Sequence, residues 1–304
     1  MIRFTKMHGI GNDYIYVDGF DAVTMAAIDD PAALAVAMAD RHTGVGGDGM
    51  ILILPPDDPR TADIRMRMFN ADGSEAEMCG NGIRCVCKYA HDYGLSDANP
   101  MRIETGAGVL SLAHEVDDEG LVRLVTVDMG EPILDLPAIP VDEGRLAGGS
   151  RSHHRLDFDD AAWFGVFVSM GNPHVVLFRD ENEEMMPEAL DDLDIARWGP
   201  RIEGHPAFPR RINAHFVHVQ SHRELTMRTW ERGSGITRAC GTGACAVCVA
   251  GAITGRTDRE VLVHLPGGDL VLRWDETTNH VFMTGPAVEV FSGQWPVEAM
   301  SHAP

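Results

Sequence analysis

The sequence predicts an α/β protein built from two similar halves, and three observations carry that prediction. Strand-like and helix-like stretches alternate along the chain. A Cys-Gly-x-Gly turn leading from a strand into a helix occurs twice, at Cys79 and at Cys240, about midway through each half, which suggests a duplicated domain. The length, 304 residues, leaves room for two ordinary domains.

In chain order, Ile2–Met7, Tyr14–Asp18, Met50–Leu54 and Asp63–Phe69 read as strands, several with period-two alternation. Pro31–Asp40 reads as a helix, with Asp30 as N-cap and Pro31 at the first helical position. The glycine-rich run Gly44–Gly49 leads into a strand, not a helix, which argues against a dinucleotide fold. The first Cys-Gly-x-Gly turn opens the apolar-periodic stretch Ile83–Tyr93, which Gly94 would end. Val109–Val116 and Leu121–Met129 read as strands. Val141–Asp160, rich in Gly, Ser, His and charge, reads as a long loop or insertion near the join of the halves. Its His153 and His154 read as solvated loop residues, since spacing sets no carboxylate or Cys beside them as metal partners. Strands follow at Phe164–Ser169, His174–Phe178, Asn213–Val219 and Leu225–Trp230. The second turn then opens the Ala/Val-rich helix Ala244–Thr254, with Gly255 just beyond. The tail contributes Val261–Leu265, Asp269–Trp274, His280–Thr284 and Ala287–Phe291.

Composition narrows the function classes. At 44% hydrophobic and 23% charged the chain is an ordinary globular protein, but its formal charge is −21. That excess repels phosphate backbones, so neither nucleic acid nor an anionic membrane is an expected partner. The N-terminus lacks the apolar core of a signal peptide, and no apolar run approaches a bilayer span, so a cytoplasmic location is expected. In a reducing compartment the six cysteines read as catalytic or buried, not as structural disulfides. Cys85, Cys87, Cys245 and Cys248 read as small buried hydrophobes. Cys245 and Cys248 lie three apart on one helix, but the remaining intervals match no usual zinc pattern, so no metal site is expected.

Cys79 and Cys240 differ from the other four because each opens a helix inside a glycine turn. A helix N-terminus lowers a thiol's pKa, and flanking glycines let backbone N–H groups reach a bound anion. Two such turns could hold one carboxylate between positive dipole ends, with a sulfur on each side of the adjacent carbon. That suits inversion of an amino-acid α-carbon by one thiolate base and one thiol acid. The carbanion would be stabilised by hydrogen bonds and dipoles. No pyridoxal, flavin or nicotinamide context is present, so no cofactor is expected.

These residues resemble diaminopimelate epimerases, a cofactor-independent amino-acid epimerase family. The run from Phe69 to Cys85 resembles the family's first motif, and the run from Glu231 to Ala244 its second. Supporting matches are Lys6–Asp13, Asp40–Gly46, Gly171–His174 and Arg211–Asn213, in family order. The resemblance implies two pseudo-symmetric halves, each a curved, mainly antiparallel sheet wrapped round a central helix. It implies an active site in the cleft between them. It divides the chain into residues 1–128 plus about 286–300, carrying Cys79, and 129–285, carrying Cys240. It makes Cys79 and Cys240 the acid/base pair. The reacting carboxylate would fall to the backbone of Gly80, Asn81, Gly241 and Thr242. The rest of a small amino-acid substrate would fall to Asn12, Asn70, Asn172, Asn213, Glu231 and Arg232. Amides serve both charged groups of an amino acid, Arg232 can grip a carboxylate bidentately, and Glu231 can meet an ammonium. His174 is implied as an auxiliary that orients or tunes a cysteine, or else reads as a core histidine. A homodimer is a further expectation of the resemblance.

Two features depart from the pattern. Gly49 stands where many members have Gln, and the 141–160 segment is longer than usual. Among rivals, proline racemases typically have His where Asn81 stands and lack the Glu-Arg-Gly run, while phenazine-type isomerases do not keep both cysteines. A histidine racemase is closer in motif. A thiol-redox protein is the rival from another class, since facing thiols could oxidise to a disulfide.

Overall fold

The computed structural model describes residues 1–150 and 153–296. Residues 151–152 of the expected loop and 297–300 of the expected C-terminal return lie outside the described residues. The chain divides into two compact units, one of Met1–Asp128 with the chain from Thr284 onward, the other of Met129–Met283. No helix among the described residues is long and apolar enough to cross a membrane.

The first unit runs β1 (Ile2–Gly9), β2 (Asn12–Asp18), α1 (Ala22–Met25), α2 (Pro31–Ala39), β3 (Gly49–Leu54), β4 (Ile64–Asn70), β5 (Glu75–Ala76), α3 (Gly80–Asp92), β6 (Met101–Thr105), β7 (Gly108–Val116) and β8 (Val122–Asp128). Most neighbours are antiparallel, with parallel steps at β2–β3 and β4–β6. Period-two alternation gives the sheet two buried faces. Ile15, Val17, Met50 and Leu52 join Leu34, Ala35 and Met38 of α2 in one cluster. Tyr16 and Ile51 point the other way, toward α3: the Tyr16 hydroxyl donates to Gly82 O at 3.1 Å. α3 packs against β1, β2, β3, β4, β6, β7 and β8, so the sheet wraps it on all sides. Asp30 caps α2 as the sequence predicts, accepting from the N–H groups of Ala32 and Ala33 at 3.0 and 3.1 Å.

The second unit repeats this order. After β9 (Gly149–Ser150) and β10 (His153–Phe158) come β11 (Ala161–Ser169), β12 (Pro173–Phe178), α4 (Ile195–Glu203), β13 (Asn213–Ser221), β14 (Glu224–Glu231), β15 (Gly235–Thr237), α5 (Gly241–Ile253), β16 (Glu260–Leu265) and β17 (Gly268–Trp274), and the division at Met283 falls within β18 (Val281–Pro286). β12–β13 and β14–β16 are parallel, and β11–β12, β13–β14, β14–β15 and β16–β17 antiparallel. The final strand, β19 (Val288–Trp295), pairs antiparallel with β1. Ala214 and Phe216 of β13 face Trp198 and Ile202 of α4, which leaves His215 between them pointed at α5.

The registers make the duplication exact residue by residue. Tyr14 pairs with Gly49 as His174 pairs with Asn213. Gly49 pairs with Asn70, and one position along from the Ala214–Trp230 pair Asn213 falls opposite Glu231. Met68 pairs with Ala76 as Thr229 pairs with Thr237, and each hairpin then reaches its cysteine three residues later. The helices also end alike. Gly94 and Gly255, at φ +71° and +72°, let the next N–H turn back to Ala90 O (2.8 Å) and Gly251 O (2.9 Å).

Three expectations need correction. The 141–160 stretch is not simply a loop: β10 within it pairs with β11. His154 is buried and stacked on Phe167, and His153, half-exposed, bonds Glu181 at 2.8 Å; both lie on β10, not in a loop. Their partners, Phe167 on β11 and Glu181 just after β12, are ones that local composition does not reveal. α4 went unread because Gly199-Pro200 interrupts the apolar spacing Ile195, Trp198, Ile202 that buries it. Cys85, Cys87, Cys245 and Cys248 are buried, as expected.

Gly199 tests how tightly α4 is seated. An alanine gains about 1 kcal/mol of helix propensity, but its Cβ would fall inside the indole of Trp230, whose Nε1 is held by Glu203 at 2.6 Å. Overpacking of this kind costs about 1–3 kcal/mol. Gly199→Ala should therefore lower the urea midpoint; a raised midpoint would mean the indole is free to move.

Candidate active site

Each cysteine is the N-cap of its unit's central helix. Cys79 (φ −136°, ψ 117°) precedes α3 and Cys240 (φ −130°, ψ 103°) precedes α5 in the extended backbone an N-cap requires. The first turn of a helix has N–H groups without intrahelical partners, and glycine at the third helical position lets the strands approach it. A Cβ on Gly82 would meet Ile51 Cδ1 at 2.8 Å, and one on Gly243 would fall onto the His215 ring. Ile51 and His215 are equivalent in the repeat, so the same close approach is built twice with different chemistry.

In the first unit Cys79 is partly exposed, and its Sγ accepts from the Gly82 N–H at 3.4 Å. The thiol donates to Asn12 Oδ1 at 3.2 Å. Asn12 Nδ2 in turn donates to Asp48 at 2.6 Å, and Arg41 bridges Asp13 and Asp48 at 2.8 Å each. Asp13 also pairs with Lys6, whose ammonium donates to Gly46 O. Asn12 is thus aimed by a charged network of Lys6, Asp13, Arg41 and Asp48. Sequence reading picked Asn12 but not Asp48, which sits unmarked in the glycine-rich run. Asn70 closes β4 and donates to Ser74 Oγ at 2.9 Å. Gly80 and Asn81 begin α3 and are buried; Asn81 Oδ1 has no hydrogen-bond partner among the described residues. Arg84, fully buried in the same helix, donates to Gly80 O at 3.2 Å and Pro286 O at 3.3 Å.

In the second unit Cys240 is buried and lies 3.8 Å from Thr242 Oγ1. The expectation of a lowered thiol pKa is reversed here. Burial pushes the Cys240 thiol well up, the Glu231 carboxylate pushes it further, and the Gly243 N–H and Thr242 only partly offset them. Glu231, at the end of β14, accepts from the Thr237 hydroxyl. Asn213 uses its amide locally: Nδ2 donates to Pro173 O at 2.8 Å and Oδ1 accepts from the Arg232 N–H at 3.0 Å. Arg232 is exposed, with Nη1 on Arg210 O at 3.0 Å. Asn172 Oδ1 lies 2.8 Å from His174 Nε2, His174 Nδ1 lies 2.8 Å from His215 Nε2, and His215 Nδ1 lies 3.0 Å from Thr229 Oγ1. His215 and Thr229 escaped the sequence reading because each sits within a strand, β13 and β14, and nothing near it in the chain marks the partner it meets.

The structure therefore gathers Asn12, Asn70, Cys79, Gly80 and Asn81 in one unit. Asn172, His174, Asn213, Glu231, Arg232, Cys240, Gly241 and Thr242 belong to the other. Among the described residues no group of three or more His, Cys, Asp and Glu converges as a metal would require. Each half can supply a thiol, a helix N-terminus and amide groups.

Comparison with known proteins gives the same reading. A family model described as diaminopimelate epimerase matches residues 4–134 and 166–290, so the 141–160 segment falls outside the match. The diaminopimelate epimerase of Desulfovibrio desulfuricans is 49% identical over 297 residues, covering 97% of this chain and 98% of its own. That of Pelotomaculum thermopropionicum is 50% identical over 297 residues, covering 97% and 99%. Among solved structures, a probable proline racemase from Agrobacterium radiobacter superposes with a TM-score of 0.66 at 14% identity, covering 97% of this chain and 93% of its own. At that identity it shares the fold.

The buried histidines make stability pH-dependent. Burial pushes His215 down to about 3. Burial first, then His215 and the Arg232 charge, hold His174 well below its ordinary value. An unfolded histidine takes up a proton near pH 6.5 that these folded rings refuse, so the unfolded state binds more protons below that pH. Stability is then lost as pH falls from about 6.5 toward 3, at up to about 1.4 kcal/mol per unit per ring. His264, raised by Asp269 and then Glu224, acts in the opposite sense but lies near the surface, where screening weakens it. Urea unfolding at pH 7.5 and 5.0 should show this loss before carboxylates titrate; equal stability at the two values would mean the rings accept protons in the fold.

Proposed function

The chain belongs to the diaminopimelate epimerase family, and on that premise we propose a two-base epimerisation with Cys79 and Cys240 as the acid and base. The reaction interconverts LL- and meso-diaminopimelate, in lysine and cell-wall precursor synthesis. The observation that carries the proposal is that both cysteines are N-caps of fully packed helices at equivalent positions of an internal repeat.

One thiolate removes the α-proton, and the other thiol gives a proton to the opposite face. The roles exchange in the reverse direction, and exchange with water resets the pair. The carbanion's charge spreads into the substrate carboxylate, so donors aimed at that carboxylate stabilise the transition state more than the ground state. The N–H groups of Gly80, Asn81, Gly241 and Thr242 are the donors in this reading. A raised pKa at Cys240 suits the thiol that holds a proton to give, and Glu231 opposes its early loss. Asn12, Asn70, Asn172 and Asn213 bind the remaining polar groups, with Arg232 on the distal carboxylate and Glu231 within reach of an ammonium. The chemistry needs no cofactor and requires both thiols reduced, which favours a reducing cytoplasm.

Incubating LL-diaminopimelate with the reduced protein in D2O should erase the α-proton NMR signal as the meso isomer appears. Cys79→Ala and Cys240→Ala should each lower kcat by about 10²–10⁴ or more, the usual worth of a positioned acid or base. Full turnover by either variant would sink the two-base mechanism. Arg232→Lys loses a bidentate carboxylate contact of about 1.5–3 kcal/mol, so KM should rise roughly 10- to 100-fold.

A further inference from the structure

The group beneath the second Cys-Gly-x-Gly turn is not a spacer. In the first unit the corresponding position is Ile51, which fills space against Gly82. In the second it is His215, fully buried, in van der Waals contact with the turn at Gly243 and hydrogen-bonded at both ring nitrogens. A neutral imidazole has one donor and one acceptor, so neighbouring rings in a chain must agree on direction. Asn172 presents Oδ1 to His174, and an oxygen can only accept. His174 Nε2 therefore carries the proton, and its Nδ1 accepts from His215 Nε2–H. His215 Nδ1 is left to accept from the Thr229 hydroxyl. The proton order runs from Thr229 through His215 and His174 to Asn172, leaving the Asn172 Nδ2 hydrogens directed away from His174.

We propose that His215 is a positioning residue for the epimerisation: it holds His174 in the Nε2–H tautomer and so turns the Asn172 carboxamide to present Nδ2 as a donor to the substrate. The proposal rests on Asn172 binding substrate as read above. Without His215, His174 Nδ1 loses the ring that donates to it in this proton order, and the imidazole can take the other tautomer. Asn172 would then flip to give Nδ2 to His174 and offer the substrate an oxygen instead. An anionic substrate group would meet an acceptor where it had a donor. Binding would weaken in the ground and transition states alike, which raises KM and leaves kcat nearly unchanged.

Two readouts test this on the full chain. In 15N spectra of histidine-labelled protein, His174 and His215 should both show a protonated Nε2 and an unprotonated Nδ1, assigned by losing each signal in His174→Gln and His215→Gln. Protonated Nδ1 on both rings would reverse the chain and overturn the proposal. In kinetics with diaminopimelate, His215→Leu should raise KM at least 10-fold with kcat within about 3-fold. His215→Gln, whose amide can still donate to His174, should recover most of that loss. A fall in kcat at constant KM, or equal defects in the Leu and Gln variants, would overturn it. Should the wild-type protein turn over no diaminopimelate, the epimerase reading fails, and the tautomer measurement still decides the proton order. Should His215→Leu not fold, the wild-type spectra and His215→Gln carry the decision.

Discussion

Everything at the candidate site follows from one constraint: each unit is wrapped round a helix with almost no solvent face. Such a helix must begin somewhere, and its first N–H groups have no intrahelical partners. In both units the solution is a cysteine N-cap followed by glycines, with strand residues pressed against the turn. The same device that lets the helix be buried leaves a polar, anion-seeking end beside a sulfur. Structural need and chemical opportunity coincide at Cys79 and Cys240, which is why the two turns look alike in sequence while little else in the sequences of the two halves does.

The repeat is symmetric in backbone and asymmetric in chemistry. Tyr14 stands where His174 stands, Ile51 where His215 does, and Asn70 where Glu231 does. The first cysteine touches Asn12, itself aimed by Asp48 and the Arg41 bridge. The second is deeper and lies in the field of Glu231. A substrate whose reacting centre carries a carboxylate, an amine and a long side chain has no internal mirror. A binding surface that distinguishes its ends must break the symmetry that the two thiols share.

Legibility followed the range of the interaction. Asp30 and Pro31 announce α2, and Gly94 and Gly255 end their helices, because those signals act within a few residues. The strands β3, β4, β12 and β13 were readable from alternation or apolar runs. β6, α4 and β10 were not. Gly199-Pro200 masks the buried stripe of α4, and the polar composition of 141–160 hides that His154 stacks on Phe167. Of the site, both cysteines, the flanking turns and Asn12 were visible. Asp48, His215 and Thr229 were not, since each matters through a partner more than ten residues away.

By itself the sequence determined the chemistry available: two thiols in glycine turns at helix starts, a set of amides, a Glu-Arg pair, and a charge that disfavours polyanions. These are properties of residue type and near neighbours, and they persist in any conformation that forms the local turns. Only the tertiary structure decided protonation and orientation. Cys240 rises in pKa because strands bury it beside Glu231, against the pull of its own helix end. His174 is held neutral first by burial and then by His215, forty-one residues on, packed against it. Desolvation and the field of a distant charge depend on which surfaces meet, and no local pattern in the chain encodes that.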